Sequence, residues 1–574
     1  MSLLSVQSLA VAFKREGTFS DVVADVSFDL ERGKTFGIVG ESGSGKSVST
    51  SVIMGLHHFA GGKVTQGHIW FDSPTLGKVD LTKISDKDFR KIRGKEISMI
   101  FQDPMTALNP VKRCGVQVAE VLKIHTSLSK AEIESKVLAL FEQVKLPRPE
   151  EMMNAYPHQI SGGQKQRVMI AMAMACDPLL IIADEPTTAL DVTVQQTILE
   201  LLNDLQKDYQ TSIIFISHDL GVIGEVCDDV MVMLRGAVKE KNDVVSIFQN
   251  PQDDYTKGLL ACRPTLETNS KRLLTVEDII EGKVLGEEEK EVVVSDDVQL
   301  QVNNISTWFP IKEGFFKKEK KYVKAVNDVS LQVFKGETLG LVGESGCGKT
   351  TLGRTIMRLE TPTHGELIFE GRNITDLKGR SLKELRKEIQ IIFQDPYASL
   401  NPRMTIEQSL IEPMIVNKVF KTKEERLKRI NYLLGKVGMP SDCLSRYPHE
   451  FSGGQRQRIN IARTLTLSPK LIICDESVSA LDVSVQAQVL NLLNDLKEEF
   501  KFTYIFISHD LSVVKFISDR IVVMNKGEIV EINDALSIYK EPKSAYTQQL
   551  IDAIPTGELS RIIEIQETKN MINE

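Results

Sequence analysis

The 574-residue sequence predicts an α/β fold that occurs twice along the chain. Long motifs recur: GIVGESGSGKS, ending at Ser47, returns as GLVGESGCGKT, ending at Thr350, and FISHDL occurs twice. Apolar runs such as 179–183 and 213–216 are typical of buried parallel strands, and they alternate with amphipathic helical segments. Each half is therefore expected to contain a mostly parallel sheet covered by helices.

The repeat has an almost constant register. Lys46 and Lys349 lie 303 residues apart, whereas Ser161 and Ser452, like the motifs that follow them, lie 291 residues apart. The halves therefore differ in length between the lysine and the serine of these pairs, and they keep one register after the serine. We expect a first domain at 1–262, an acidic, solvated linker with some short local structure at 263–297, a second domain at 298–556 and a terminal tail at 557–574.

Composition excludes several classes of protein. The formal net charge of −8 and the pI near 5.8 argue against a general nucleic-acid binder, which needs a positive surface. The seven cysteines form no C-x-x-C motif, so they predict neither a disulfide framework nor a zinc site, and a reducing cytoplasm fits best. No stretch approaches the roughly 20 apolar residues of a spanning helix, and the N-terminal residues lack the pattern of a secretory signal.

Both halves contain the pattern G-x-x-x-x-G-K-[ST] after an apolar strand. The glycines let successive backbone N–H groups and a helix N-terminus face phosphate oxygens, and the lysine adds positive charge. The hydroxyl of Ser47 or Thr350 can ligate Mg²⁺. The residues expected to hold a nucleoside triphosphate are Gly40, Glu41, Ser42, Gly43, Ser44, Gly45, Lys46 and Ser47, and Gly343, Glu344, Ser345, Gly346, Cys347, Gly348, Lys349 and Thr350.

Acidic pairs end two later strands, at Asp184-Glu185 and Asp475-Glu476. The carboxyl ends of parallel strands are where α/β folds bind ligands. We expect the aspartates to hold the Mg²⁺ shell, and the glutamates to orient and polarise the attacking water as the catalytic bases.

Two further polar residues occur in each half. His218 and His509 end apolar strands, each 34 residues after the aspartate of its half, and we expect them to contact a γ-phosphate. Gln102 and Gln394 follow strand-like segments and can offer an amide oxygen to the metal or to the attacking water.

A second candidate anion site in each half is a Ser-Gly-Gly-Gln segment that opens a helix. One nucleotide needs only one phosphate loop, so this extra site is useful if it covers a nucleotide held by another domain. The residues of this segment, the signature, are Ser161, Gly162, Gly163 and Gln164, and Ser452, Gly453, Gly454 and Gln455.

The order of these motifs, completed by Ala-Leu-Asp at Asp191 and Asp482, resembles the ATP-binding subunits of ABC transporters over nearly the whole chain. The resemblance implies two ABC cassettes of the P-loop NTPase fold, each with a mostly parallel core sheet, an antiparallel β subdomain and a helical subdomain. It also implies ATP hydrolysis, with the two aspartates in loops that communicate between the ATP sites.

In that family two cassettes pack head to tail. The resemblance therefore implies that Lys46 faces Ser452 across one ATP and that Lys349 faces Ser161 across the other. Binding of ATP would close the cassettes, and hydrolysis would let them reopen.

Narrower features resemble the subfamily that serves peptide, dipeptide, nickel and glutathione importers: VGESGSGKS, FQDPMTALNP, YPHEFSGGQ and the tails around Tyr255 and Tyr546. The resemblance implies two integral-membrane permease subunits as partners, an extracytoplasmic solute-binding protein indirectly, no nucleic acid, and a peripheral place on the cytoplasmic face of the inner membrane. Permease helices would enter grooves in the segments between Gln102 and Ser161 and between their counterparts. The direction of transport rests on this resemblance alone.

The sequence departs from the family pattern in three places. Ser477 replaces the proline usual after the catalytic glutamate, which predicts a change in local stiffness only. Ile160 and Phe451 stand where leucine is common, and both remain apolar. Some relatives carry a cysteine-rich iron–sulfur segment, but there is no cysteine between Cys262 and Cys347, so we expect no cluster.

Several assignments remain open. The adenine-stacking aromatic is Phe13 or Phe19 in the first half, and one of three residues in the second: Trp308, Phe309 and Tyr322. The lysine-rich segment 312–324 is either an exposed hairpin or a contact for anionic lipid headgroups. The main alternative function is a tandem-cassette ATPase that acts on ribosomes; the short linker and acidic charge argue against it.

Overall fold

The computed structural model describes residues 2–15, 18–188, 190–283, 295–311 and 321–573. The strands of the first half are β1 Ser2–Arg15, β2 Thr18–Glu31, β3 Thr35–Gly40, β4 Gly62–Ser73, β5 Gly77–Asp80, β6 Ile97–Ile100, β7 Leu180–Asp184, β8 Ser212–Ser217, β9 Asp229–Leu234 and β10 Ala237–Asp243. Its helices are α1 Lys46–Ile53, α2 Asp86–Ile92, α3 Pro104–Ala107, α4 Cys114–His125, α5 Lys130–Gln143, α6 Pro149–Asn154, α7 Gly162–Met174, α8 Val192–Tyr209, α9 Leu220–Val226, α10 Val244–Gln249 and α11 Asp254–Ala261.

Helix α12, Val276–Ile280, lies between the halves. The strands of the second half are β11 Val298–Pro310, β12 Tyr322–Phe334, β13 Thr338–Val342, β14 His364–Phe369, β15 Arg372–Asn373, β16 Ile389–Ile392, β17 Leu471–Asp475, β18 Thr503–Ile507, β19 Arg520–Asn525 and β20 Glu528–Asp534. Its helices are α13 Lys349–Ile356, α14 Gly379–Glu388, α15 Ile406–Val416, α16 Lys423–Lys436, α17 Gly453–Leu465, α18 Val483–Phe500, α19 Leu511–Ile517, α20 Ala535–Lys540, α21 Ala545–Asp552 and α22 Leu559–Asn573.

Each half is built on a six-stranded sheet of the same topology. The orders are β10-β9-β3-β8-β7-β6 and β20-β19-β13-β18-β17-β16, parallel except for the hairpin at one edge. Every residue of β3, β7 and β8 is buried, as expected for parallel strands covered on both faces. The predicted motifs follow β3, β6, β7 and β8, so they meet at the carboxyl edge of one sheet.

A four-stranded antiparallel sheet packs on one face of each central sheet, in the orders β2-β1-β4-β5 and β12-β11-β14-β15. These sheets share an apolar cluster with β3 or β13 and the helix that follows it. Hairpin β11–β12 is paired as far as Pro310 and Tyr322, and residues 312–320 of the lysine-rich segment lie outside the described residues.

Helices α3–α6 in the first half, and α15 and α16 in the second, form the layer predicted as a helical subdomain. Their starts follow from the sequence: Ser129 with Glu132, and Thr422 with Glu425, form capping boxes at α5 and α16. This layer connects the glutamine after β6 or β16 to the signature helix.

The two halves exchange their tails. The segment after α11 lies against α18 and α19 of the second half, where the Leu273 N–H donates to Asn491 Oδ1 at 2.9 Å. Helix α22 lies against α9 of the first half, with Ile562 fully buried and Lys569 Nζ donating to the Val226 carbonyl oxygen at 2.7 Å. The first part of the predicted solvated linker is therefore packed, with Leu273 only 3% exposed. Residues 284–294 lie outside the described residues.

Candidate active site

The phosphate loops have the backbone that their glycines predict. Gly40, Gly43 and Gly45 have φ values of 155°, 79° and 98°, and Gly45 precedes α1 with no side-chain cap on the helix. Left-handed φ is easily adopted only by glycine. An uncapped helix start leaves its N–H groups available to an anion, which fits a phosphate.

The phosphate-loop lysines lie inside these loops. Lys46 Nζ donates to the carbonyl oxygens of Gly40 and Glu41 at 2.6 and 2.9 Å, and Lys349 makes the same pair of bonds in its own loop at 2.7 and 2.9 Å. Burial lowers the pKa of Lys46, while the nearby carboxylate of Glu185 opposes that shift. Each loop therefore presents a desolvated cation to a bound anion.

Two of the three predicted metal ligands, the hydroxyl and the aspartate, meet in each half. Ser47 Oγ donates to Asp184 Oδ1 at 2.9 Å, and Thr350 Oγ1 donates to Asp475 Oδ1 at 2.9 Å. Burial raises the pKa of Asp184 to about 6, and burial also raises the pKa of Asp475. A hydroxyl and a carboxylate at hydrogen-bond distance are oxygen ligands of the kind that Mg²⁺ prefers.

Glu185 is the centre of a second cluster. It has a left-handed φ of 46°, and its Oε2 accepts from Gln102 Nε2 at 2.8 Å and from Thr188 Oγ1 at 2.9 Å. His218 Nδ1 lies 3.4 Å from the same oxygen. Burial alone would raise the pKa of Glu185, but the bond and the charge of His218 hold it at about 2. A non-glycine residue at this φ is strained, which is typical of functional positions.

The second half reproduces this cluster with one difference. Glu476 has φ 48°, accepts from Gln394 Nε2 at 2.6 Å and lies 3.6 Å from His509 Nδ1. Ser479, the counterpart of Thr188, donates to the backbone oxygen of Glu476 and not to its carboxylate. The first glutamate is therefore held by one more hydroxyl than the second.

The signature serines cap their own helices. Ser161 Oγ accepts from the Gln164 N–H at 3.3 Å at the start of α7, and Ser452 does the same at α17. The second glycine is required by packing, because a Cβ on Gly163 would lie 2.6 Å from Val194 Cγ1. The signature is thus fixed against the helix that follows the D-loop, the segment containing Asp191 or Asp482. The predicted approach of the signature to the opposite phosphate loop stays a prediction.

The D-loop of each half touches the phosphate loop of the other. Asp191 Oδ2 accepts from the Ser345 N–H at 3.3 Å, and Thr193 Oγ1 donates to Glu344 Oε1 at 3.0 Å. In the reciprocal direction, Ser484 Oγ donates to a phosphate-loop glutamate of the first half, Glu41, at 2.6 Å between oxygens. The halves are therefore arranged head to tail, and each phosphate loop is completed by residues from the other half.

The charge of the opposite half also acts on Lys46 and His218. The charge of Asp482 raises the pKa of Lys46 and that of His218, in addition to the effect of Glu185. For His218 the net shift is upward, because these carboxylates outweigh its burial. The composite character of the site is therefore electrostatic as well as structural.

Sequence reasoning missed the hydroxyls at the interface between the halves. Thr193 and Ser484 carry no motif of their own, although their shared offset of 291 residues could have drawn attention to them. In the sequence Tyr255 and Tyr546 indicate only the subfamily, whereas in the structure each hydroxyl accepts from the N–H of a phosphate-loop glutamate, at 3.3 and 3.2 Å.

The described cysteines are all free thiols, and no group of three or more His, Cys, Asp or Glu side chains that could hold a metal occurs within the described ranges. No helix in the part of the chain that the structure describes is long and apolar enough to cross a membrane. The fold and the two composite phosphate sites define a tandem nucleotide-binding protein.

Comparison with known proteins agrees with this class. The family model described as ABC transporter matches residues 23–188 and 326–479, and the model described as the C-terminal region of oligopeptide/dipeptide transporters matches residues 530–571. The chain is 44% identical over 564 residues to the glutathione import ATP-binding protein GsiA of Pectobacterium atrosepticum, covering 97% of this chain and 90% of that protein. It is 45% identical to the Escherichia coli O157:H7 protein of the same name, covering 98% of this chain and 90% of that protein.

Among solved structures, the chain resembles the dimeric post-hydrolysis state of the MJ0796 cassette bound to ADP and Pi. The identity is 29% and the TM-score 0.37, covering 41% of this chain and 98% of that chain. The chain belongs to the ABC transporter ATP-binding family, in its oligopeptide, dipeptide and glutathione importer type. The predicted fold, family and ATPase activity are confirmed, and nothing supports action on ribosomes.

Proposed function

We propose that this chain carries both ATPase sites of an importer for small peptides or glutathione. The observation that carries the proposal is the reciprocal contact between the start of α8 or α18 and the phosphate loop of the other cassette, seen for Ser484 with Glu41 and for Thr193 with Glu344. The solute class is supported by the names of the GsiA relatives and by the C-terminal region at 530–571. Linking both cassettes in one chain fixes a one-to-one pairing and raises their effective concentration.

Phosphoryl transfer requires positioning of the reactants and stabilisation of charge, and the residues of each ATP site supply both. Lys46 and Lys349 hold the phosphates, with the signature serines of the opposite cassettes covering them. Glu185 and Glu476 orient and polarise the attacking water, and the histidines beside them contact the γ-phosphate.

Mg²⁺ fits the hydroxyl and carboxylate pair of each site, joined by the amide of the nearby glutamine. The residues that would hold it are Ser47, Asp184 and Gln102 in one site, and Thr350, Asp475 and Gln394 in the other. When bound, it would supply positive charge that neutralises the phosphate oxygens. The glutamines also bond to the catalytic glutamates, so they link each site to the helical layer.

The adenine rings would stack on Phe19 and Tyr322. These two candidates share the 303-residue offset of Lys46 and Lys349, and their side chains are 56% and 44% exposed. The other candidate pairs do not share that offset. An aromatic face that solvent reaches at the edge of β2 or β12 is free to cover a base.

Permease helices would enter the helical layers, with one subunit for each cassette. In the second cassette a cavity of about 460 Å³ adjoins Gln394 and is bounded by α14, α15 and α17; Phe393 and Val416 in its lining are 42% and 53% exposed. A permease helix bound in this cavity would be displaced when Gln394 moves. The chain would thus lie on the cytoplasmic face of the inner membrane, and a solute-binding protein would deliver solute from the other side.

The ATPase assignment is tested with Glu185→Gln and Glu476→Gln. The double variant should lose steady-state ATP hydrolysis by about a hundred-fold or more while still binding ATP, because the loss of a water-activating base acts on the chemical step. Asp208→Asn, exposed on α8, is the matched acid-to-amide control. Unchanged hydrolysis in the double variant would show that these glutamates are not the bases.

The transport assignment is tested by coexpression with the permease and binding-protein genes. Uptake of labelled glutathione and of a labelled dipeptide should depend on Lys46 and Lys349. Loss of preloaded solute from cells, driven by ATP, would instead show export.

A further inference from the structure

Each tail touches the phosphate loop of its own cassette through a tyrosine, which is buried in the first half and half-buried in the second. Tyr255 on α11 is 3% exposed, and its hydroxyl oxygen accepts from the Glu41 N–H at 3.3 Å. Tyr546 on α21 accepts from the Glu344 N–H at 3.2 Å. The surrounding sequences, DDYTKGLL and SAYTQQLI, share this tyrosine, the threonine after it and a leucine four residues after the tyrosine.

The same two glutamates reach the opposite cassette through their carboxylates. Glu41 Oε1 accepts from Ser484 Oγ at 2.6 Å, and Glu344 Oε1 accepts from Thr193 Oγ1 at 3.0 Å. Each glutamate therefore has its backbone held by the tail of its own cassette and its side chain held by the first turn of α8 or α18 in the other. The tyrosine hydroxyl and the serine or threonine hydroxyl are connected through a single residue.

Electrostatics agree with this placement. Burial raises the pKa of Tyr546 to about 12, and the charges of Glu344 and of Asp191 in the opposite cassette add to the shift. Burial, followed by the charges of Glu41 and Asp482, likewise raises the pKa of Tyr255. Both hydroxyls thus stay protonated and uncharged at neutral pH, close to the D-loop of the other cassette.

We propose that Tyr255 and Tyr546 are positioning residues for closure of the cassettes on ATP. Each holds the backbone of a phosphate-loop glutamate so that the glutamate carboxylate meets the hydroxyl of the opposite α8 or α18. The tail, which lies at the end of each cassette, thereby becomes part of the coupling between ATP binding and the interface. This inference rests on the ATP sites proposed above.

The first experiment replaces each tyrosine by phenylalanine in the full chain. Without the hydroxyl the glutamate N–H loses its acceptor, so the loop is less well held in the arrangement that the interface requires. Tyr255→Phe and Tyr546→Phe should each raise the KM for ATP about five-fold, the size expected for one neutral hydrogen bond, and change kcat less than two-fold. Tyr539→Phe is the control, because this tail hydroxyl donates to the Leu511 carbonyl oxygen at the start of α19 instead of accepting from a phosphate-loop N–H.

A merely structural role for the two tyrosines gives a different result. A destabilised protein would lose active molecules, so kcat would fall in proportion while KM stayed unchanged. Unchanged KM in both phenylalanine variants would therefore overturn the proposal. The absence of ATP hydrolysis by the unmodified chain would instead overturn the proposed ATP sites themselves.

A double-mutant cycle tests the connection through Glu41. Tyr255→Phe and Ser484→Ala should each raise the KM for ATP about five-fold, and the double variant should show about the same five-fold change, because both break one linked contact. A change of about twenty-five-fold in the double variant would show that the two hydroxyls act independently, which would overturn the proposal.

Discussion

Asp184→Asn should stabilise the nucleotide-free protein at neutral pH while abolishing hydrolysis. The Asp184 carboxyl is 8% exposed, and burial raises its pKa from an ordinary 3.8 to about 6. A pKa change of this size corresponds to about 3 kcal/mol of folding free energy that the ionised group costs. Asparagine keeps an oxygen for the Ser47 hydroxyl but carries no charge, so it removes this cost and also a proposed ligand of Mg²⁺.

The direction of the pH dependence follows from the linkage between protonation of Asp184 and folding. Because the pKa is higher in the folded state, the stability due to this carboxyl is complete below about pH 4 and is lost as the pH rises through about 6. The melting temperature of the variant minus that of the unmodified protein should therefore increase by about 4 °C between pH 4.5 and 7.5, corresponding to about 2 kcal/mol for one cassette. Scanning calorimetry without nucleotide measures this difference, and any cost of the asparagine that does not depend on pH cancels.

Asp208→Asn, at an exposed position on α8, provides the baseline. A difference in melting temperature that stays constant with pH for Asp184→Asn, or that falls as the pH rises, would refute the reasoning. The metal-binding role has a separate readout, since the same variant should lose ATP hydrolysis at every pH.

Two further substitutions test the packing around the site. Gly163→Ala should destabilise the first cassette by about 1–3 kcal/mol, because its Cβ would lie 2.6 Å from Val194 Cγ1. Gly162→Ala, whose nearest neighbour would be 3.9 Å away, should change the stability little. Thermal unfolding compares the two variants, and equal stability would contradict the proposed packing of Gly163. Ile562→Ala should weaken the docking of α22 by about 2–4 kcal/mol, because Ile562 is fully buried against the first cassette, whereas Met571→Ala, at an exposed position, should not. Hydrogen exchange in α22 and α9 should be faster only in the Ile562 variant, and unchanged exchange there would show that the helix docks without it.

The sequence alone predicts which polar residues of one cassette lie close together, for a physical reason. Residues such as Asp184 and His218 follow apolar strands of one parallel sheet, so chain order alone brings them to the same edge. Their spacing also repeats in the second half, which separates them from chance polar residues. The contacts of Gln102 and Ser47 follow from the same topology.

The exchanged tails could not be predicted in the same way. Leu273 and Ile562 stand in short apolar runs within polar sequence, and both lie against residues of the other half. The acidic stretch GEEEKE makes the average composition of 263–297 typical of a solvated linker. Packing depends on individual residues, and Leu273 in the first part of this segment is buried. The hydrogen bond of the Tyr255 hydroxyl could not be predicted for a similar reason, since the sequence does not distinguish a tyrosine of the core from one whose hydroxyl has a specific partner.

Each proposed ATP site is built from both halves of the chain, and cross-linking tests this arrangement most directly. In a protein with the seven native cysteines replaced, Glu41→Cys and Ser484→Cys should be joined by a short bifunctional thiol reagent, because the native side-chain oxygens lie 2.6 Å apart. Mass spectrometry of the digested protein should find the peptide that contains both cysteines, with a higher yield when Mg²⁺ and ATP are present. The matched pair Glu41→Cys with Thr193→Cys, both in the first half, should not be joined. Cross-linking of this second pair in place of the first would contradict the composite sites.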